Sequence, residues 1–161
     1  FAGYVYTELA DVEHEMAGIV DTDRRPKDAG GLDYAAVHAD TVLVVDLVPA
    51  HAGADIPVPT QPFGLDVHVS HHGSDAVRGR VHAAWGDAGS RFGARLTPTV
   101  SALVEAQPFV LSAAATLDIP APAGPARLHL WFTEESGAVR ASTFVDAAPI
   151  EEPNRRGARR D

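Results

Sequence analysis

A chain of 161 residues, 45 % apolar and 22 % charged, has the composition of a folded globular protein and room for one ordinary domain plus part of another. Its formal charge of −9 is uneven: Arg155, Arg156, Arg159 and Arg160 crowd the end, and residues 1–154 carry 9 basic and 21 acidic groups, a formal −12. That surface repels phosphate backbones and so excludes nucleic acid as the expected partner; the lack of cysteine excludes disulfides and thiolate metal sites, and no apolar run reaches the roughly 18 residues of a membrane span.

In chain order, Gly3 to Leu9 reads as a buried strand, rich in Tyr4, Val5, Tyr6 and Thr7. Such a strand needs neighbours, and the expectation is that they belong to sequence preceding Phe1. An acidic loop, Asp11-Val12-Glu13-His14-Glu15, follows it. The short apolar run Ala17 to Val20 then leads into the turn Asp21-Thr22-Asp23-Arg24-Arg25-Pro26-Lys27, with Pro26 placed as a first helical residue. Gly30-Gly31 mark a loop, and Asp33 is placed to cap a short helix over Tyr34 to Asp40.

From Thr41 the period changes to that of strands. The β-branched run Thr41 to Val48 is stopped by Pro49, and Pro57, Pro59 and Pro62 make a rigid, extended connector. Leu65, Val67 and Val69 alternate with Asp66, His68 and Ser70, the pattern of a half-buried strand. Further strands are expected at Val77 to Trp85, with Arg78, Arg80 and His82 on the wet face, and at Arg91 to Leu96. The last ones are Phe109 to Ile119, Arg127 to Thr133 and Val139 to Val145. About seven strands with turn signals between them predict a mainly β fold, an immunoglobulin-like antiparallel β-sandwich. The expected organisation is residues 1–40, residues 41–150 as the sandwich, and residues 151–161 as a disordered basic tail.

Chemistry concentrates first in the acidic loop, where Glu8, Asp11, Glu13 and Glu15 follow a strand end. In a parallel α/β barrel that end is where groups contacting substrate collect. His68, His71, His72 and His82 with Asp75 raise a metal site, but side chains alternate along a strand and His68 points away from His71. Surface histidines explain the same pattern. Ser70, Ser74 and Ser101 lack a nucleophile-elbow motif, and no glycine-rich phosphate loop is present. Trp131, on the polar phase of its strand, is read as packing rather than as a sugar platform.

Three blocks in the opening stretch resemble the end of the catalytic barrel in glycoside hydrolase family 2, the β-galactosidases, β-glucuronidases and β-mannosidases. They are Gly3-Tyr4-Val5-Tyr6-Thr7-Glu8-Leu9-Ala10-Asp11-Val12, then Gly18-Ile19-Val20, then Asp23-Arg24-Arg25-Pro26-Lys27. The resemblance implies that residues 1–40 are the last strand, loop and helix remnant of a (β/α)8 barrel, a C-terminal fragment of a retaining enzyme hydrolysing O-glycosidic bonds. The sandwich would then be a non-catalytic accessory domain.

The same resemblance implies what this fragment lacks. Family members use two glutamates roughly 5–5.5 Å apart, on the fourth and seventh barrel strands, both upstream of Phe1. No catalytic residue is therefore expected here, and no cofactor or metal. Thr7, Glu8 and Asp11 are the positions expected to approach the carbohydrate substrate. Where glucuronidases place an Asn-x-Lys pair for the substrate carboxylate, this chain has Glu15-Met16-Ala17, and a glutamate there repels a uronate. Partners are then the carbohydrate substrate and the missing part of the barrel. The competing reading is a stand-alone sandwich module that binds carbohydrate or protein, with residues 1–40 as a leader.

Overall fold

Alternating side chains in the second part of the chain sort themselves into two layers, while the opening part is built on short bridges. The computed structural model describes residues 9–12, 15, 17–27, 34–47, 56–93 and 96–149. The chain divides into two compact units, Phe1–His38 and Ala39–Asp161.

In the first unit the expected strand over residues 3–9 lies almost wholly outside the described residues. Isolated bridges join Ala10 to Val20 in parallel and Val20 to Pro26 in antiparallel fashion. Pro26 therefore sits in an extended pairing and does not open a helix. A single helical turn, α1 (Tyr34–Val37), replaces the longer helix expected to reach Asp40.

The second unit contains two sheets. The smaller is built on β3 (Phe63–His71), flanked on one side by β1 (Thr41–Val45), with β6 (Val110–Leu111) and β7 (Ala115–Ile119) also pairing with it, all antiparallel. The amide of His72 donates to the Asp40 carbonyl at 2.6 Å, continuing the β1–β3 ladder past its last named pair, Thr41 and His71. Asp40 is thus claimed by the sheet, which is why no helix reaches it. In the larger sheet β2 (Ile56–Pro57) runs parallel to β9 (Val139–Ala148). The order continues through β8 (Ala126–Glu134) and β4 (Val77–Asp87) to β5 (Val100–Ala106).

Three expectations are corrected. The strand expected at Arg91 to Leu96 is absent among the described residues of that span, and the pairing partner of β4 is Val100–Ala106 instead. The run Phe109 to Ile119 is two strands: Ser112 pairs with Val69 through its amide and its hydroxyl, and one extra residue before Ala115 opposite Val67 makes a β-bulge. The proline-rich connector contains an edge strand, with Pro57 at the sheet margin where a missing amide is tolerated.

Period-two alternation sets the core. Leu65, Val67 and Val69 of β3 and Leu117 and Ile119 of β7 face Val81 and Ala83 of β4 and Leu128, Leu130 and Phe132 of β8, all nearly inaccessible. Each large side chain there contributes about 1.5–3 kcal/mol by leaving water. Trp85 packs on this core from β4, and its indole N–H donates across to the carbonyl of Pro120, just past β7, at 2.7 Å. A mainly β, two-sheet sandwich is therefore the architecture of this unit.

Candidate functional site

The first unit is organised on Asp11. Its Oδ1 accepts the Gly18 amide at 2.9 Å and the Lys27 ammonium at 2.8 Å, and Lys27 Nζ also donates to the Gly18 carbonyl at 3.0 Å. Around this triangle the backbone is tied repeatedly: Asp11 donates to Val20, Ile19 and Val20 both donate to Leu9, and Lys27 donates to Ile19. The next turn is fixed by Asp21, whose carboxylate takes the amides of Asp23 and Arg25 while Arg24 adopts a left-handed φ of 65°.

Position 18 requires glycine for a steric reason. A β-carbon there would overlap the amide nitrogen of Asp11 and the backbone of Ala10. The hydrogen bond from Lys27, opposed by burial and reinforced by the Gly18 amide, holds the Asp11 carboxyl below its ordinary range. Asp11 is thus a fixed anion at neutral pH, suited to anchoring and unsuited to delivering a proton. Of the three positions expected to approach a substrate, Thr7 and Glu8 lie outside the described residues. Asp11 is buried, with its Oδ1 engaged inside the unit.

On the sandwich each histidine among the described residues is held by its own partners. His68 Nδ1 meets the Ser112 carbonyl at 2.8 Å, and His82 Nδ1 meets the Ser101 hydroxyl at 2.6 Å while its ring stacks on Trp131. His71, read among the surface histidines, is instead the buried last residue of β3, between the Thr41 hydroxyl at 2.8 Å and the Asp75 carbonyl at 2.9 Å. Among the described residues no three His, Asp or Glu side chains converge on a point that could hold a metal ion. Trp131 lies on the outer face, as its phase predicts, yet it is 6 % exposed because His82 and Phe92 cover it.

Two clusters on that outer face were not foreseen. Arg127 is buried in a bidentate pair with Asp146 and stacks over Phe144, and His129 is buried against the hydroxyl of Ser90 at 2.8 Å. The available signal was the run Arg127-His129-Trp131, three large polar or amphipathic side chains on one phase. Nothing in the sequence marked the segment that covers them.

No known protein family matches this chain, and no curated protein matches it. What the fold and its internal geometry define is a β-sandwich domain preceded by a small, ion-pair-anchored unit.

Proposed function

We propose that this chain is the C-terminal part of a retaining glycoside hydrolase related to family 2, in which an immunoglobulin-like accessory sandwich follows the end of the catalytic barrel. One observation carries the reading. The three sequence blocks that bear the resemblance meet at Asp11, Gly18 and Lys27, one residue from each, in a mutually dependent contact. A carboxylate, a position without a side chain and an ammonium in mutual contact give the three blocks one structural role within the unit, which supports reading them together.

The sandwich topology supports the accessory assignment. β1, β3 and β7 correspond to the A, B and E strands of an immunoglobulin-type sandwich, and the order β9, β8, β4, β5 to G, F, C and C′. Trp85 on β4 occupies the strand that carries the core tryptophan in that architecture, here packed on aliphatic side chains in place of a disulfide. The reaction proposed for the parent is displacement at an anomeric carbon by one glutamate with proton delivery by another, neither of them in this chain.

The test uses the full-length protein that contains this chain, incubated with aryl β-galactoside, β-mannoside, β-glucoside and β-glucuronide, and with matching 2-deoxy-2-fluoroglycosides. Hydrolysis of a neutral glycoside with retention, and a covalent label on a glutamate upstream of Phe1, is the expected result. The glucuronide should be the poorest substrate because Glu15 stands where a uronate needs a cation. Turnover by the isolated 161-residue chain, or a parent protein inert to all four glycosides, refutes the proposal.

A further inference from the structure

The outer face of the larger sheet is asymmetric by sequence. β8 presents Arg127, His129 and Trp131 there, and β4 presents, directly opposite them, Gly86, Ala84 and His82. Small residues at 84 and 86 leave a trough beside the tall side chains of β8, and the first half of the β4–β5 connection returns into it. A turn closes from the Ser90 amide to the Asp87 carbonyl at 3.0 Å with Gly89 at a φ of 71°, the left-handed region that glycine adopts without strain. Ser90 is then held twice: its hydroxyl meets His129 Nε2 at 2.8 Å, and its carbonyl accepts from Arg127 at 3.1 Å. Phe92 follows, with its ring 5.6 Å from that of Trp131 and 6.4 Å from that of His129. A β-carbon at Gly86 would press on both the Ser90 hydroxyl and the His129 ring, so the contact depends on the glycine.

His129 is 1 % exposed, and its Nδ1 is buried with no hydrogen-bond partner among the described residues. A neutral imidazole accommodates this at modest cost by carrying its proton on Nε2, donating to Ser90 Oγ and leaving a bare lone pair on Nδ1. An imidazolium has an N–H at both positions. The second would sit buried without an acceptor, next to the Arg127 guanidinium, and a buried unpaired charged donor is among the costlier defects a fold can carry.

We propose that residues 88–93 form a strap on the outer face of the larger sheet, fastened while His129 is neutral and released when His129 takes up a proton. The charged groups around His129 do not remove the conflict. Arg127 on β8 opposes the second proton, Asp146 on β9 is engaged by Arg127, and Asp87 meets the strap through its backbone carbonyl. His82, next along the face, lies beside Arg80 and is joined to Ser101 on β5. Burial, with Arg127 adding to it and Asp146 opposing, keeps His129 below the ordinary imidazole range, in keeping with the geometry. Release uncovers Trp131 and the small residues of β4, turning a closed face into an accessible one.

The experiment is an NMR titration of the 161-residue chain from pH 8 to pH 5, following the backbone amide of Ser90 and the ring protons of Phe92 together with the His129 ring nitrogens. Loss of amide protection at Ser90 and the shift of the Phe92 ring signals as they leave Trp131 should share one midpoint with His129, below pH 6.5, while the amides of Val81 and Leu130 stay protected. The open-to-closed ratio should rise by about tenfold per pH unit, the slope of a single proton. His129→Gln, which keeps a donor toward Ser90 and does not titrate, should leave the strap closed at pH 5. Ser90→Ala removes the hydroxyl acceptor and should move release to higher pH, and it serves on its own should His129→Gln not fold. A Ser90 amide and a Phe92 ring that ignore the His129 midpoint, a Gln variant that still opens in acid, or a Ser90→Ala variant with an unmoved midpoint each overturn the strap.

Discussion

Arg127 stands directly opposite Asp146 across the β8–β9 ladder and closes on it through two hydrogen bonds of 2.7 Å, from Nε and from one terminal nitrogen. The pair is lopsided in exposure: the arginine side chain is 7 % exposed and the aspartate 31 %. The guanidinium also stacks 3.8 Å from the centre of the Phe144 ring. Asp146→Asn therefore leaves a buried cation short of its counter-charge. It should cost about 2–3 kcal/mol in urea unfolding, below the full penalty for a wholly buried pair because one partner reaches water. Arg127→Lys keeps the charge but not the fork or the stacking, and should also destabilise. Equal midpoints for wild type and Asp146→Asn would show that solvent already compensates the arginine.

Thr41 and His71 form a second kind of buried polar contact, at the end of the smaller sheet. His71 Nε2 faces the Asp75 carbonyl oxygen, which accepts only, so that nitrogen carries a proton, while the Thr41 hydroxyl stands between His71 Nδ1 at 2.8 Å and Asp40 Oδ1 at 3.2 Å. Thr41→Val preserves shape and removes the hydroxyl, leaving Nδ1 of the buried His71 without its partner. The expected loss is about 1–3 kcal/mol. A change below about 0.5 kcal/mol, the range of ordinary surface substitutions, would mean that the ring finds another partner.

The strands β3, β4 and β8 were legible in the sequence because apolar residues recur at every second position and that face of each meets the core. β5 was not, since Val-Ser-Ala-Leu-Val-Glu-Ala places its largest apolar residue, Leu103, on the solvent face at 72 % exposure, which blurs the period. The bulge at Ser112 was invisible because a serine closing a ladder with its hydroxyl looks like any other serine. At the opening unit the residue types were legible, but their mutual contact was not. Spacings of 7 and 9 residues between Asp11, Gly18 and Lys27 share no period, since 7 is two helical turns while 9 puts two residues on opposite faces of helix or strand, and the bridges of the backbone bring them together. His129 and Ser90, 39 residues apart, carried no local signal at all.

Gly18→Ala probes the opening unit on its own. The added β-carbon overlaps main-chain atoms of Ala10 and Asp11, which cannot swing aside as a flexible side chain would. The amides of Asp11, Val20 and Lys27, each bonded across this junction, should lose hydrogen-exchange protection in the variant. Those of Val81 and Phe132 in the other unit's core should keep theirs. Lys27→Met should give the same pattern, by leaving Asp11 without its ammonium. Unchanged protection in either variant would show that the Asp11 contact does not hold the unit together.

Acid should act on the two units in different windows, because the shifted groups differ in kind. His82 and His129 are both held below the ordinary imidazole value of 6.5, first by burial and then by Arg80 and Arg127 respectively. The unfolded chain therefore binds protons that the folded sandwich refuses, and stability falls as pH drops below about 6.5 toward the folded values, with no contribution above. Asp11 is also lowered, through Lys27, but a carboxylate stabilises while ionised. Its contribution is whole above the unfolded value near 4 and disappears as pH falls through the folded one. Urea midpoints for the sandwich should thus be level from pH 8 to 7 and decline from pH 6.5 to 5.5. Over that same range the Gly18 and Lys27 amides should remain protected. Replacing both histidines, His82→Gln with His129→Gln, should flatten the decline in the sandwich and leave the acid response of the Asp11 contact below pH 4 untouched. A sandwich that loses stability over the same pH range without those histidines would place its acid sensitivity elsewhere.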